Sequence, residues 1–493
     1  MNPSYSHHLL SVLLLAAPFA AGCHARSPYQ PPTAPSASAY TAHPTMQTDA
    51  APTAQHATTA QQLVAGNNVD AAWWQIFHSP VLNRMVEEAL AHSPTLDEAC
   101  ARLRQAEENN RATRGAKLSP AFALSASEKE QQNDLHTMGL PNTIKNPNAF
   151  ALTTVGLDVS YTFDLSGGTH HALVASRAQV DAQRFELAAA RLTLAGNVVL
   201  NAIDEARTRE QIRATEGILA LEDEKLAILE SQLAAGGITQ SEVEQQHLLI
   251  AQSLAQLAPL ALHLDEVRAQ LAVYLGHEPA DQPTETITFD SLQLPEQLAY
   301  TLPSSLAAAR PDILAADALV RERGAEAGIA QANLYPRFTL LSSLSTERRS
   351  IGDLIDGLNI WSLAGSISQP VWNGGQLKAQ KRAADAAYDE ALADYKQTVL
   401  NGLYQVAKSL AALEHDASQL QHLAEASAHA RAQQAICRDR FALGGISRLQ
   451  LIDAELNTLT AEQNEIATAS ARFSDSAALM TALGGGTLSS PAH

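Results

Sequence analysis

Apolar and polar residues alternate one by one in four short stretches of this chain. In the long stretches between them the apolar positions step by three and four. Val155, Leu157, Val159, Tyr161 and Phe163 alternate with Gly156, Asp158, Ser160, Thr162 and Asp164. A period of two is the mark of a two-faced strand. Phe122, Leu124 and Ala126 alternate with Ala123, Ser125 and Ser127, and a polar loop from Gln131 to Asn148 separates the two stretches. A hairpin over 121–164 is predicted. The alternation returns at Phe338, Leu340, Ser342 and Leu344, then at Trp361, Leu363, Gly365 and Ile367, which predicts a second hairpin over 337–371. Strands of about 10 residues are long enough to cross a bilayer when tilted. Four strands close no barrel, and open sheet edges are not tolerated in lipid, so a membrane reading requires several chains to pool their strands.

The long stretches read as helices. From Gly168 to Ala234 there is no proline, and a helix of that length would run roughly 100 Å. Ala175, Ala178, Ala182, Phe185, Ala189, Leu192, Gly196, Val199, Ile203 and Ala206 form a heptad seam rich in small residues, which lets neighbouring helices pack closely. A Gly236-Gly237 turn reverses the chain and a second helix returns to Leu275.

The pattern then repeats. Ser93-Pro94 is echoed by Arg310-Pro311, Leu118-Ser119-Pro120 by Leu334-Tyr335-Pro336, Gly167-Gly168 by Gly374-Gly375, and Gly236-Gly237 by Gly444-Gly445. A tandem duplication of a hairpin and a long-helix pair suits an elongated body better than a compact enzyme. The chain therefore divides into a signal segment (1–22), an extended arm (23–70), a first repeat (71–285, long helices 168–276) and a polar linker (286–303). A second repeat (304–486, long helices 375–483) and a short tail (487–493) complete it. The fold class is mainly α with a small β part, and the first ordered residues are Trp73 and Trp74.

Composition sharpens this. The 493 residues carry a net charge of −19, which disfavours nucleic acid as a partner. Residues 24–70 are rich in Ala, Pro, Thr, Ser and Gln, a mixture that buries too little apolar surface to fold alone. Leu9 to Ala21 is apolar but shorter than the ~20 residues of a membrane-spanning helix. It ends Ala20-Ala21-Gly22-Cys23, small residues before a cysteine, as in a bacterial lipobox, so Cys23 is the expected lipidation site. Cys100 and Cys437 fall in helical patterns and read as buried thiols, with a disulfide between them as the alternative, since spacing alone does not establish proximity. His170-His171 reads as a solvated turn at a strand-to-helix junction. HExxH, GxSxG, CxxC and GxGxxG are absent from the sequence. No catalytic residue, metal or cofactor is expected.

Four stretches together resemble the TolC family of outer-membrane efflux proteins, in its OprM/NodT-like lipoprotein branch. They are Trp73-Trp74-Gln75-Ile76-Phe77-His78-Ser79-Pro80-Val81-Leu82, Ala309-Arg310-Pro311-Asp312-Ile313, Tyr335-Pro336-Arg337-Phe338, and the run from Arg440 through Phe441-Ala442-Leu443-Gly444-Gly445-Ile446-Ser447 to Glu455. The resemblance implies a homotrimer sharing a twelve-stranded outer-membrane β-barrel, continued by a periplasmic α-helical barrel. It implies the exit duct of a tripartite pump, with a periplasmic membrane-fusion adaptor and an inner-membrane, RND-type transporter. It also implies outer-membrane lipid against Leu157, Val159, Tyr161, Phe163, Trp361, Leu363 and Ile367. Asp453 matches a periplasmic-gate carboxylate of the family. The tips Gly236, Gly237, Thr239, Arg440, Gly444, Gly445 and Ser447 match its adaptor-contacting turns. The Gly-Gly pair is expected to supply φ > 0 and Ser447 a helix cap. The first copy has Gln232 for Arg440 and Gln245 for Asp453. The rival reading is a periplasmic coiled-coil scaffold or adhesin without a pore.

Overall fold

A computed structural model describes residues 29, 39–41, 45–66, 69–132, 141, 148–348 and 360–486. Cys23 and the signal segment lie outside the described residues. In chain order the elements are β1 (Gln62–Ala65), α1 (Pro80–His92), α2 (Pro94–Leu118), β2 (Ala121–Gln131), β3 (Phe150–Phe163), α3 (Gly168–Ala234) and α4 (Gln240–Leu275). They continue with β4 (Gln297–Tyr300), α5 (Pro303–Ala309), α6 (Pro311–Ala332), β5 (Arg337–Arg348), β6 (Ile360–Ser368), α7 (Gln376–Ala442) and α8 (Arg448–Ala482). The residues fall into two compact units.

One unit takes in 103–182 and 316–395. Its four strands form an antiparallel sheet in the order β2-β3-β5-β6. At the head of α3, His171 is buried, not solvated, with its ring so close to Gly328 of α6 that a Cβ there would lie 2.6 Å from it. Only glycine admits that approach. His170 remains exposed.

The other unit takes in 33–102, 183–315 and 396–493. Its core gathers Trp73, Phe77, Leu82, Ile203, Leu271, Leu275, Leu298, Leu306 and Phe473, all essentially inaccessible to water. The Phe473 ring centroid lies 6.3 Å from that of Phe77 and 5.9 Å from that of Phe289, within the range of favourable aromatic pairs. None of the ten seam positions of α3 is exposed. Gly196 sits against Thr481 of α8, where an added Cβ would meet the hydroxyl oxygen at 3.1 Å. Arg310 explains its motif: it donates to Asp312, to Gln405 and to the Ala482 carbonyl at the end of α8.

Two expectations from composition need correction. Order does not begin at Trp73. Gln47 bridges Gln62, β1 pairs in parallel with β4, and Ala51, Ala54, Ala57 and Leu63 are buried. Polar anchoring replaces the missing apolar bulk. Arg472 of α8, itself fully buried, donates to the carbonyls of Ala57 and Thr59 and to the Thr48 hydroxyl. Gln55 donates its backbone N–H to Glu465 and its amide to Glu462. Gln61 donates to Pro295 and Ser476. The stretch between the repeats is likewise more than a polar linker, since Ile287, Phe289, Leu292 and Leu298 are buried in the core.

Candidate functional site

Three places carry the residues singled out from sequence: the sheet, the two helical turns and the neighbourhood of Asp453.

In the sheet, residues paired directly across strands share a face. Leu124 pairs with Leu157, Leu157 with Leu344 and Leu344 with Trp361. The next row is Phe122, Val159, Ser342 and Leu363, followed by Tyr161, Leu340 and Gly365, then Phe163, Phe338 and Ile367. All seven strand residues named from sequence therefore stand on one face. The Phe163 and Phe338 rings are 5.3 Å apart. The Phe338 ring covers Gly365, where an added Cβ would touch it at 3.3 Å. The opposite face carries hydroxyls: Thr162 bonds Thr339 at 3.2 Å and Ser343 bonds Ser362 at 2.7 Å. Phe150, Leu152, Leu341 and Ile360 are its large apolar exceptions. Trp361, Leu363 and Ile367 are among the most exposed large apolar side chains of the chain. Within one chain β2 and β6 are each paired on one side only.

The two helical turns are built alike. Gly236 N–H donates to the Leu233 carbonyl at 2.9 Å and Gly237 N–H to Gln232 at 2.8 Å. At the second turn Gly444 donates to Phe441 at 2.9 Å and Gly445 to Arg440 at 2.8 Å. This crossed pair is how a helix closes on a left-handed residue. The positive φ falls on the first glycine of each pair, +77° at Gly236 and +73° at Gly444; Gly237 and Gly445 have none. The φ > 0 expected of the pair thus rests on one glycine, and at the second turn that glycine is Gly444 and not Gly445. Position 232 or 440 lends only its carbonyl to the turn, so the turn itself tolerates Gln in one copy and Arg in the other. Ser447 caps α8, its hydroxyl accepting from the Gln450 N–H, and its own N–H donates to the Gln450 side-chain Oε1. At Thr239 the Glu242 carboxylate accepts from both the N–H and the hydroxyl. Leu443 at the second turn is 88% exposed, and its counterpart in the first copy is Ala235.

Asp453 lies on α8 with its side chain 53% exposed, and its Oδ1 is 2.6 Å from Nζ of Lys225 on α3. Its cation is thus neither Arg440 nor Arg448. Arg448 grips Glu224 with two bonds of 2.5 and 2.6 Å and reaches Glu455 at 3.1 Å. The bond to Arg448 holds the Glu224 carboxyl below its usual range and pushes the guanidinium up. Two cross-helix ion pairs at adjacent residues of α3 thus tie it to the start of α8. Three carboxylates and two cations leave this cluster with one net negative charge per chain. Lys225 and Glu224 carry no motif and could be found only by knowing that α3 lies beside α8.

Cys100 and Cys437 are free thiols, but each is half-buried and not buried as expected from sequence. Among the described residues no group of His, Cys, Asp and Glu is arranged to hold a metal.

The family model described as outer membrane efflux protein matches residues 85–277 and 302–485. The chain belongs to that family, whose members are outer-membrane efflux channels. It is 29% identical over 424 residues to the pyoverdine export outer membrane protein OpmQ of Pseudomonas putida, covering 85% of this chain and 88% of the relative. Outer membrane protein OprJ of Pseudomonas aeruginosa is 26% identical over 448 residues, 90% and 92% of the two chains. Among solved structures, the outer membrane protein VceC of Vibrio cholerae superposes with a TM-score of 0.73 at 26% identity. That match covers 85% of this chain and 99% of the other.

Proposed function

We propose that three copies of this chain close their four-stranded sheets into one twelve-stranded barrel in the outer membrane, continued by a barrel of long helices in the periplasm. The observation that carries this reading is the register. The large apolar side chains of four strands gather on one face, interrupted by Ser342 and Gly365, and the two outer strands have no second partner within the chain. In lipid such edges must be satisfied by another copy. The assembly passively conducts small molecules, such as drugs or toxic compounds, delivered by an inner-membrane transporter of the RND type through a periplasmic adaptor. The chain supplies the path and the transporter chooses the cargo.

Within that assembly Leu157, Val159, Tyr161, Phe163, Trp361, Leu363 and Ile367 meet lipid, and the hydroxyl face lines water. The turns at Gly236, Gly237 and Thr239 and at Arg440, Gly444, Gly445 and Ser447 meet the adaptor, with Leu443 available as an apolar contact. Asp453, three times around the axis, narrows the mouth, and Lys225 tempers its charge. Cys23 carries the lipid. The test is an unheated gel of the outer-membrane fraction, followed by capture of the adaptor on the purified protein. A heat-dissociated trimer that retains an adaptor supports the reading. A monomer in the periplasmic fraction contradicts it.

A further inference from the structure

Within the chain α3 lies along α8. Gly196 faces Thr481, where an added Cβ would stand 3.9 Å from the threonine Cβ. Gly217 faces Leu459, and Thr215 bonds Gln463 at 2.9 Å. The ion pairs Lys225–Asp453 and Glu224–Arg448 close this seam towards the turns. All of these residues belong to one compact unit. α3 and α7 are each 67 residues long, and Gly236 and Thr239 recur 208 positions later as Gly444 and Ser447. α7 therefore repeats α3, and α8 repeats α4. The internal seam joins the first long helix of one repeat to the second long helix of the other. The remaining pair of that kind, α7 with α4, carries the same two faces.

Those faces are open within the chain. Tyr404 and Val273 stand where Gly196 and Thr481 stand, and they are 66% and 46% exposed. Glu425 and Ala251, the counterparts of Gly217 and Leu459, are exposed as well. So are Ala432, Gln433, Gln240 and Gln245, the counterparts of Glu224, Lys225, Arg448 and Asp453. Leu248 and Leu262, both exposed, share the side of α4 that bears Val273, because 14 and 11 positions are close to whole numbers of helical turns. Two different faces on one chain make a head-to-tail contact, which covers both when the copies close into a ring. We propose that α7 of each copy docks on α4 of the next in the register of α3 on α8. Tyr404 then meets Val273 of the partner subunit, and Gln433 meets Gln245 of the partner subunit. This rests on the trimer proposed above and specifies how its helices join. Amides replace the ion pairs of the internal seam there. The mouth is thus fastened by charge within each chain and by neutral side chains between chains.

The experiment uses the full chain in isolated outer membranes, with Cys100→Ser and Cys437→Ser as the parent. The Cβ spacing of Gly196 and Thr481 suits a disulfide, so Tyr404→Cys with Val273→Cys should oxidise into covalent dimers and closed trimers on heated, non-reducing gels. Gln433→Cys with Gln245→Cys should be joined between chains by a short bifunctional methanethiosulfonate. Gly196→Cys with Thr481→Cys should oxidise without joining chains, and none of the single variants should give a ladder. Tyr404→Cys with Glu266→Cys, two turns out of register, should crosslink several-fold less than the pair with position 273. An unheated trimer in which neither inter-chain pair joins overturns the proposal and leaves these faces to the adaptor. Equal yields at positions 266 and 273 overturn the register. A parent that runs as a monomer before heating overturns the trimer reading itself, and the proposal with it.

Discussion

Lys225 on α3 holds Asp453 on α8 at 2.6 Å, across 228 residues of sequence. The acid that the resemblance implies at the periplasmic gate is therefore already paired, and its partner is Lys225. Partly exposed pairs of this kind contribute about 0.2–1 kcal/mol, so the consequence is electrostatic before it is structural. Lys225→Met should raise cation selectivity in single-channel recordings, because it leaves Asp453 uncompensated. Asp453→Ala should lower selectivity and relieve block by divalent ions. The double variant, which has the parent's net charge, should fall between the two single variants and near the parent. Equal selectivity in all four proteins would mean that this pair lies away from the conducting path.

Val159 stands between Phe122 and Ser342 on the apolar face, and Ser160 between Ala121 and Leu341 on the other. Val159→Arg should destabilise the membrane assembly by about 2–4 kcal/mol per chain, and Ser160→Arg by far less. The thermal midpoint of trimer dissociation on gels separates the two. Equal losses would contradict the assigned faces.

Gly444, not Gly445, adopts φ +73°. A β-branched residue is a genuine outlier in that region, at a cost of order 1–3 kcal/mol. Gly444→Val should therefore weaken crosslinking to the adaptor more than Gly445→Val, with the trimer intact in both. At Gly445 an added Cβ meets the Arg440 carbonyl oxygen at 3.3 Å and the Arg440 Cβ at 4.0 Å. The reverse order would show that the adaptor reads the surface of the turn and not its shape.

Arg472 is buried and holds two carbonyls and a hydroxyl of the segment 48–59. Arg472→Ala should cost about 3 kcal/mol by leaving those acceptors unsatisfied. It should also open residues 45–66 to proteolysis before the rest of the chain. Cleavage no faster than in the parent would mean that β1 and the buried alanines hold this segment without the guanidinium.

Asp475 should make stability depend on pH. Burial, with the neighbouring Asp416 carboxyl, raises its carboxyl to about 8 from an ordinary 3.8. Between those values the folded state binds more protons than the unfolded one, so stability falls as pH rises. The contribution is fully present below about pH 4 and is lost as pH climbs through 8. Asp475→Asn should flatten that slope in thermal melts between pH 4 and 8. An unchanged slope would assign it to other groups.

The sheet was legible because each strand carries its own period-two signal, and four such signals leave one register that keeps all apolar rows together. The helix pairs were legible from seams and from glycine turns repeated 208 residues apart. Long-range polar contacts were not. Nothing about Lys225 or Arg472 in sequence distinguishes it from a solvated cation on a helix. Residues 45–66 looked unable to fold because composition counts apolar surface, whereas this segment is held by hydrogen bonds from α8. Which glycine of a pair bears φ > 0 depends on where the preceding helix runs out, and the dipeptide does not encode that. His171 looked solvated because Gly328, which makes room for its ring, lies 157 positions away.

The central claim is that copies of this chain enclose a water-filled path through the outer membrane. Conductance of the purified protein in planar lipid bilayers tests it most directly. Discrete current steps of uniform size, with cation selectivity raised by Lys225→Met and lowered by Asp453→Ala, are the expected result. Electrically silent bilayers, with insertion verified by protease protection of the strands, would contradict it.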